Sequence, residues 1–397
     1  MIVINKLFTE DKSEKTRCIC DIELNNKKEK IWFEVDKKYK EYLVTDRADA
    51  IIIGILNYAL RNNEDIISKI PITDELLYNL KEILIPSLVK NSYALNMISI
   101  KANTIEPLKQ GEHIGTGCSC GVDSFYSIKS HYNDEYKSLK LTDLCINNVG
   151  AFNECYKDYG IKRTITERYK KTEKVAKDLG INLIETDSNF YEVVPQVHSL
   201  THTYSSCFAI YMLQKYWKVY FYSSSGYDFT SFNLKNNDLL DCAEYELLSL
   251  QTFSTSSIKI YSDGGAKERI EKVKEIIDFP IAQKELHVCV NKSNNCGICP
   301  KCMRTILSLD ALNSLEKFSN VFDIKYYYEN KIDYYNWLWK QHKLKDKMNE
   351  LTYKILSKNK DFKVNIFFKI KNMPYIILKN VLSQKQKENI KKILKRR

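Results

Sequence analysis

The chain has 397 residues, of which 44% are hydrophobic, only 12 are glycine and 7 proline, and it carries a formal net charge of +11. That length suggests two or three domains, each able to bury a core, and the composition excludes a collagen-like, low-complexity or disordered chain. The basicity is local: Gln341–Arg397 holds 17 Lys or Arg against 4 Asp or Glu, leaving 44 against 46 elsewhere, so the body is not a basic nucleic-acid surface.

The opening MIVINKLFTEDKSEK lacks a basic start running into a longer apolar stretch and does not read as a secretory signal. Strand-like runs RCICDIEL and KIWFEV follow, separated by the charged turn NNKKEK. A helical pattern then covers Arg47 to Leu60, and a second, TDELLYNLKEILIPSLVK, opens on Thr73, Asp74 and Glu75 as helix N-termini do. These elements predict a small α+β domain over residues 1–105. The apolar run AIIIGILNYAL from Ala50 is broken by Asn57 and falls short of the ~18–20 residues of a membrane span, so the expected location is cytoplasmic. Twelve cysteines in so long a chain read as free thiols or metal ligands rather than a disulfide framework.

From His113 the pattern becomes strand, loop, helix, repeated. HIGTGCS, LTDLCINNV, INLIETD, KVYFYSSS and SSIKIYS read as strands, alternating with helical stretches such as DSFYSIKSHY and TERYKKTEKVAKDLG. The expected fold is α/β: a parallel, doubly wound sheet over residues 106–320, with ligands beyond the carboxyl ends of its strands. Residues 321–397 turn aromatic and Lys-rich and predict a helical extension.

The loop after the first of these strands, IGTGCSCGVDSFYSI from Ile114, crowds small and polar residues before a helix. Gly115, Gly117 and Gly121 are spaced one residue too long for a dinucleotide fingerprint, and no Gly-Lys pair forms a Walker A loop. Ser119, Cys120, Gly121, Val122, Asp123 and Ser124 do fit Ser-Gly-Gly-x-Asp-Ser, apart from Cys120 at the first glycine. Small residues let backbone N–H groups approach an anion, the helix N-terminus adds positive potential, and the serine hydroxyls donate. Asp123 is suited to orient the turn or to hold Mg2+. With the strand-loop-helix pattern intact, the position of Cys120 is expected not to require a positive φ, so that the side chain is tolerated.

On these residues the chain resembles the PP-loop ATP pyrophosphatases, the adenine nucleotide α-hydrolase-like proteins. The resemblance implies that the loop holds the β,γ-pyrophosphate of ATP while a substrate oxygen attacks the α-phosphorus. It implies further that INNVGAF, from Ile146 and including Asn148, lies against adenine, and that nitrogen or sulfur then displaces AMP.

Cys289, Cys296, Cys299 and Cys302 are spaced C-x6-C-x2-C-x2-C, as a tetrahedral structural zinc site requires; an iron–sulfur cluster is the alternative. A PP-loop domain followed by such a segment, here 287–304, resembles the 7-cyano-7-deazaguanine synthase-like proteins, in which zinc braces the substrate pocket. That likeness spans roughly Gly111 to Leu315 and implies ligase chemistry on a small-molecule or macromolecular substrate, with sulfur insertion or a non-catalytic nucleotide-binding module as alternatives. Arg304, two residues past Cys302, is a candidate clamp for a carboxylate or phosphate.

Other residues carry weaker signals. His198 and His202 share a helix face, with packing or a substrate hydrogen bond favoured over metal binding. Ser225, Gly226 and Asp228 end a predicted strand, which makes Asp228 a substrate candidate by position. Cys118, Cys120 and Cys207 read as small buried thiols, with a persulfide as the alternative. The terminal ENIKKILKRR reads as a solvated end, with nucleic acid, an acidic partner or an anionic membrane surface as other possibilities.

Overall fold

The computed structural model describes residues 1–133, 135–151, 161–194, 197–225, 229–234 and 241–381, with the side chains of 161–166 left aside. Among them are twelve strands: β1 (Ile2–Lys12), β2 (Lys15–Leu24), β3 (Lys27–Asp36), β4 (Ile66–Ser68), β5 (Ile72–Thr73), β6 (Ile100–Lys101), β7 (Thr104–Ile105), β8 (His113–Gly117), β9 (Asp143–Asn148), β10 (Asn182–Ser188), β11 (Trp217–Ser223) and β12 (Lys259–Asp263). Ten form one sheet in the order β12-β11-β8-β9-β10-β3-β2-β1-β4-β6, and β5 pairs with β7. The chain divides into two compact units, Met1–Ala266 and Lys267–Arg397.

The strands from β8 to β12 pair in parallel, as the alternation with helices predicted. Counted from β8, their order is 3-2-1-4-5, the doubly wound arrangement, with the reversal between β8 and β11. Helix Val122–Tyr132 packs on β8 and β11, and helix Ile161–Leu179 on β9 and β10.

The N-terminal strands do not form a separate domain. β1, β2 and β3 make an antiparallel meander whose last strand pairs with β10 through Asp187 with Glu34 and Ser188 with Phe33, extending the central sheet. The boundary expected near residue 105 therefore separates no cores. Strand β1, which carries no strong alternation, was not anticipated; it is held between β2 and β4. Asn25 and Asn26, at φ +53° and +60°, make the two-residue turn between β2 and β3, a conformation asparagine tolerates well. The apolar helix Asp49–Asn62 packs along His198–Met212, with Ile51, Ile55, Tyr204 and Phe208 fully buried, so the apolar run from Ala50 is core. Among the described residues no helix is long and apolar enough to cross a membrane.

In the second unit all regular elements among the described residues are helices, including Pro300–Ala311, Lys331–Lys343, Lys347–Leu356 and Ile366–Val381. Leu307, Leu309, Phe318, Tyr327 and Leu338 are fully buried in it. The four-cysteine segment thus belongs with the C-terminal helices, not with the central sheet as expected.

Gly115 of β8 sits against Trp217 of β11, where an added Cβ would lie 2.5 Å from the indole ring. Gly115→Ala should lower stability by about 1–3 kcal/mol through overpacking, read from urea unfolding; an unchanged midpoint would show that Trp217 yields without cost.

Candidate functional site

Doubly wound sheets open a crevice where the strand order reverses, and a cavity of about 280 Å3 lies there. Its walls are the carboxyl ends of three strands: Gly117 of β8, Cys145, Ile146 and Asn147 of β9, and Tyr220, Tyr222 and Ser223 of β11. Cys118, Ser119, Asp123 and Ser124 add the loop and the first turn of the next helix, and Ala151, Ser206 and Ser225 complete it. A second cavity, about 360 Å3, lies at the amino ends of the strands around Asp143. There Asp143 already accepts from Thr142, His113, Asn182 and Tyr216 at 2.5–2.9 Å, so its oxygens are saturated and the arrangement is a clasp between strands.

The loop is tied down from one side. The Cys118 N–H donates to the Cys145 carbonyl at 2.7 Å, extending the β8–β9 pairing. Thr172 Oγ1 shares its hydrogen between the Arg168 carbonyl at 3.0 Å and the Cys118 carbonyl at 3.2 Å, and Arg168 donates to the Ser119 carbonyl at 3.2 Å, both from helix Ile161–Leu179. Ser124 Oγ donates to the Gly121 carbonyl at 3.1 Å and accepts from Ser119 Oγ at 3.4 Å. Ser119, Asp123 and Ser124 are thereby gathered at the N-terminus of the eleven-residue helix Val122–Tyr132, an arrangement suited to an anion.

Cys120 corrects the sequence expectation, because its φ is +57°. The left-handed region costs a side chain roughly 1–2 kcal/mol, whereas Gly121 is extended at φ −84° and ψ 175°. The residue that most needs glycine's freedom is the cysteine. Cys118 and Cys120 are both buried. The Cys118 thiol donates to the Cys120 sulfur, which lowers the Cys120 pKa with help from Lys171 and Arg168 against burial. The same hydrogen bond, with burial, pushes Cys118 well up.

On the opposite wall, His202 Nδ1 lies 2.7 Å from the Tyr222 hydroxyl and Nε2 lies 3.3 Å from Asp241 Oδ1. Burial opposes charge on the ring, but Cys242, Tyr222 and Asp241 outweigh it and raise its pKa well above the ordinary histidine value. Burial works against the Asp241 charge too, yet His202 holds that carboxyl below its usual range. When the ring is protonated it donates to both neighbours, which leaves the Tyr222 hydrogen for a ligand in the cleft. Donor atoms of His202, Asp241 and Cys242 lie within 4.8 Å of one another, as a metal would need. Both ring nitrogens are engaged, however, and the Cys242 sulfur takes the Thr203 hydroxyl at 3.3 Å, so the group reads as a hydrogen-bond chain.

The sulfurs of Cys289, Cys296, Cys299 and Cys302 lie within 4.8 Å of one another and form a second candidate, a metal site in the second unit. Backbone N–H groups of Asn291, Cys299 and Cys302 donate to the sulfurs of Cys289, Cys296 and Cys299 at 3.3–3.5 Å, as thiolate ligands favour. Gly297, at φ +75°, turns the chain between two of them, and its carbonyl accepts from the Tyr334 hydroxyl at 3.0 Å. The Asn295 side chain accepts from the N–H groups of Val288 and Cys289 and donates to the Leu286 and Val321 carbonyls, bracing the knuckle.

Other expected residues fall elsewhere. Asn148 donates to Asp187 at 2.6 Å, and it is Asn147 that lines the cleft. Val122 is buried at the start of its helix. Arg304 donates to Asn349 at 3.3 Å and pairs with Asp346 at 3.6 Å, joining helices rather than awaiting a ligand. Cys207 is buried, which pushes its thiol up and keeps it protonated. Ser225 lines the cleft and donates to Glu246 at 3.3 Å, while Gly226 and Asp228 lie outside the described residues. Tyr222 and Asp241 were missed: Tyr222 stands at the end of the fourth parallel strand, a signal that was available, but Asp241 carries no motif.

Fold and cleft define a doubly wound α/β protein with a loop suited to anions at its switch point, and a separate four-cysteine knuckle. Comparison with protein-family models, with curated proteins and with solved structures finds no match for the chain.

Cys120→Val, which puts a β-branched residue at a positive φ, should cost about 2–3 kcal/mol, whereas Cys120→Gly should stay within about 1 kcal/mol of the parent. Chemical denaturation reads both; equal stabilities would show that the loop abandons this backbone.

Proposed function

We propose that the chain is an ATP-dependent enzyme of the PP-loop type, in which ATP is cleaved between its α and β phosphates and a substrate is adenylated. The observation that carries this reading is the position of Ser119, Asp123 and Ser124, on one face of a cleft at the switch point, between the first parallel strand and the helix that follows it. The strand order 3-2-1-4-5 is compatible with the HUP arrangement that this class uses.

A carboxylate or amide-type oxygen of the substrate forms a bond to the α-phosphorus, the bond to the bridging oxygen breaks, and pyrophosphate leaves. A nitrogen nucleophile then displaces AMP, as in 7-cyano-7-deazaguanine synthase-like ligases. The hydroxyls of Ser119 and Ser124 and the helix N-terminus stabilise the leaving pyrophosphate. Asp123 is the residue to hold Mg2+, which supplies charge neutralisation on the phosphates. Asn147, Ile146 and Ala151 form the wall on which adenine rests. Tyr222, oriented by His202 behind it, donates toward charge developing on the reacting groups.

A second reading, sulfur insertion, is favoured by one observation: Cys118 lines the cleft beside Cys120, whose pKa is lowered. Cys207 does not serve it, since its thiol stays protonated. A persulfide found by mass spectrometry on Cys118 or Cys120 would select this variant. A binding module without catalysis predicts retained nucleotide and no turnover.

Incubation with Mg-ATP, carboxylic acids and ammonia should release AMP and pyrophosphate, and Asp123→Ala should lower AMP formation by about 100-fold or more. Release of ADP and phosphate instead would refute the class.

We also read the four-cysteine knuckle as a zinc site with an architectural role, since four thiolates close a tetrahedral shell and leave no position for a catalytic water. The purified protein should hold about one zinc per chain, and Cys299→Ala should lose the metal and lower the melting temperature of the second unit. Elemental analysis and calorimetry check this; bound iron with visible absorption would point to a cluster instead.

A further inference from the structure

The helix Ile366–Val381 presents an apolar face that is exposed among the described residues of its unit. Ile366, Ile370, Met373, Ile377 and Val381 fall at helical spacing on one side, and Phe367 and Leu378 widen it. Phe367 is 78% exposed, Val381 76%, Ile370 64% and Ile377 56%, whereas Ile376, on the other side, is 3% exposed. That other side is the docked one: Phe368 meets the Trp339 ring edge-on at 6.4 Å, Asn380 donates to the Lys343 carbonyl at 2.9 Å, and Lys340 lies 5.1 Å over the Tyr375 ring. The helix is thus anchored by one face with its broader apolar face outward, more hydrocarbon than a soluble surface ordinarily exposes.

Charge selects the partner. From Phe362 to Lys387 the sequence has six lysines and no carboxylate, and Lys369, Lys371 and Lys379 lie on the helix itself. A second copy of the chain would bring these lysines against their counterparts, and a nucleic acid would satisfy the charge but leave the hydrocarbon in water. An anionic lipid surface satisfies both, because hydrocarbon enters the acyl boundary while lysines remain among the headgroups. At sixteen residues the helix spans about 24 Å, too short for the bilayer core, and it carries Pro374. It therefore lies in the interface rather than crossing it. We propose that Ile366–Val381 is a membrane-surface helix that seats the protein on anionic bilayers by this face. The inference is independent of the chemistry assigned to the cleft.

The test uses the full chain with vesicles of phosphatidylglycerol and phosphatidylcholine, against vesicles of phosphatidylcholine alone. Co-flotation is expected with the mixed vesicles, weaker by about tenfold or more on the neutral ones and at high salt. Ile370→Glu/Ile377→Glu should weaken it by about tenfold or more, and both positions are exposed enough to leave the fold intact, which circular dichroism on heating verifies. Four results would each overturn the proposal: no binding to the mixed vesicles, undiminished binding by the folded variant, equal binding to neutral and anionic vesicles, or a dimer that ignores vesicles and that the variant turns to monomer in sedimentation. Tight binding of an RNA oligonucleotide without vesicle binding would assign the lysines to nucleic acid and overturn it as well.

Discussion

Two hydrogen bonds from one helix shape the loop on which the cleft depends. Thr172 and Arg168 hold the carbonyls of Cys118 and Ser119 from the side of helix Ile161–Leu179, and the backbone then turns through a left-handed residue to enter the next helix at Gly121. The strain at Cys120, of order 1–2 kcal/mol, is comparable to what two such bonds supply at about 0.5–1.5 kcal/mol each. Without that tether the backbone would relax, and Ser119 would no longer stand beside Ser124.

The facing wall has a different origin. Tyr222 points to the cleft because β11 ends beside β8, and its hydroxyl is held by His202, whose other ring nitrogen meets Asp241. Asp241 meets the far nitrogen of the ring, so it sets the ring orientation that His202 presents to the tyrosine. The two walls thus face each other with hydroxyls, one set braced by the backbone, the other by the hydrogen-bonded His202–Asp241 pair.

The second unit is stabilised on other terms. Its cysteine knuckle is braced by Asn295 and Tyr334 rather than by a sheet, and its last described helix is docked by one face only. The unit buries a helical core of its own around Leu307, Phe318 and Leu338, and its last described helix keeps apolar side chains exposed.

Much was legible in the residues alone. Periodicity located the five parallel strands and their helices, because alternating and 3.6-residue patterns follow from local geometry. The loop motif and the C-x2-C steps were legible for the same reason: the chemistry is compressed into neighbours in sequence. Tertiary structure decided what depends on residues far apart. Asp241 comes to His202 only through the fold, and Arg304 is claimed by Asp346 and Asn349 of a later helix. Whether Asn147 or Asn148 faces the cleft turns on a one-residue alternation that pairing with Asp187 settles. The N-terminal meander joined the central sheet because β3 and β10 each had an open edge, which no local pattern announces. For Cys120, the sequence determined that a cysteine stands where a glycine would be easiest; only the tethered backbone decided that its φ is positive.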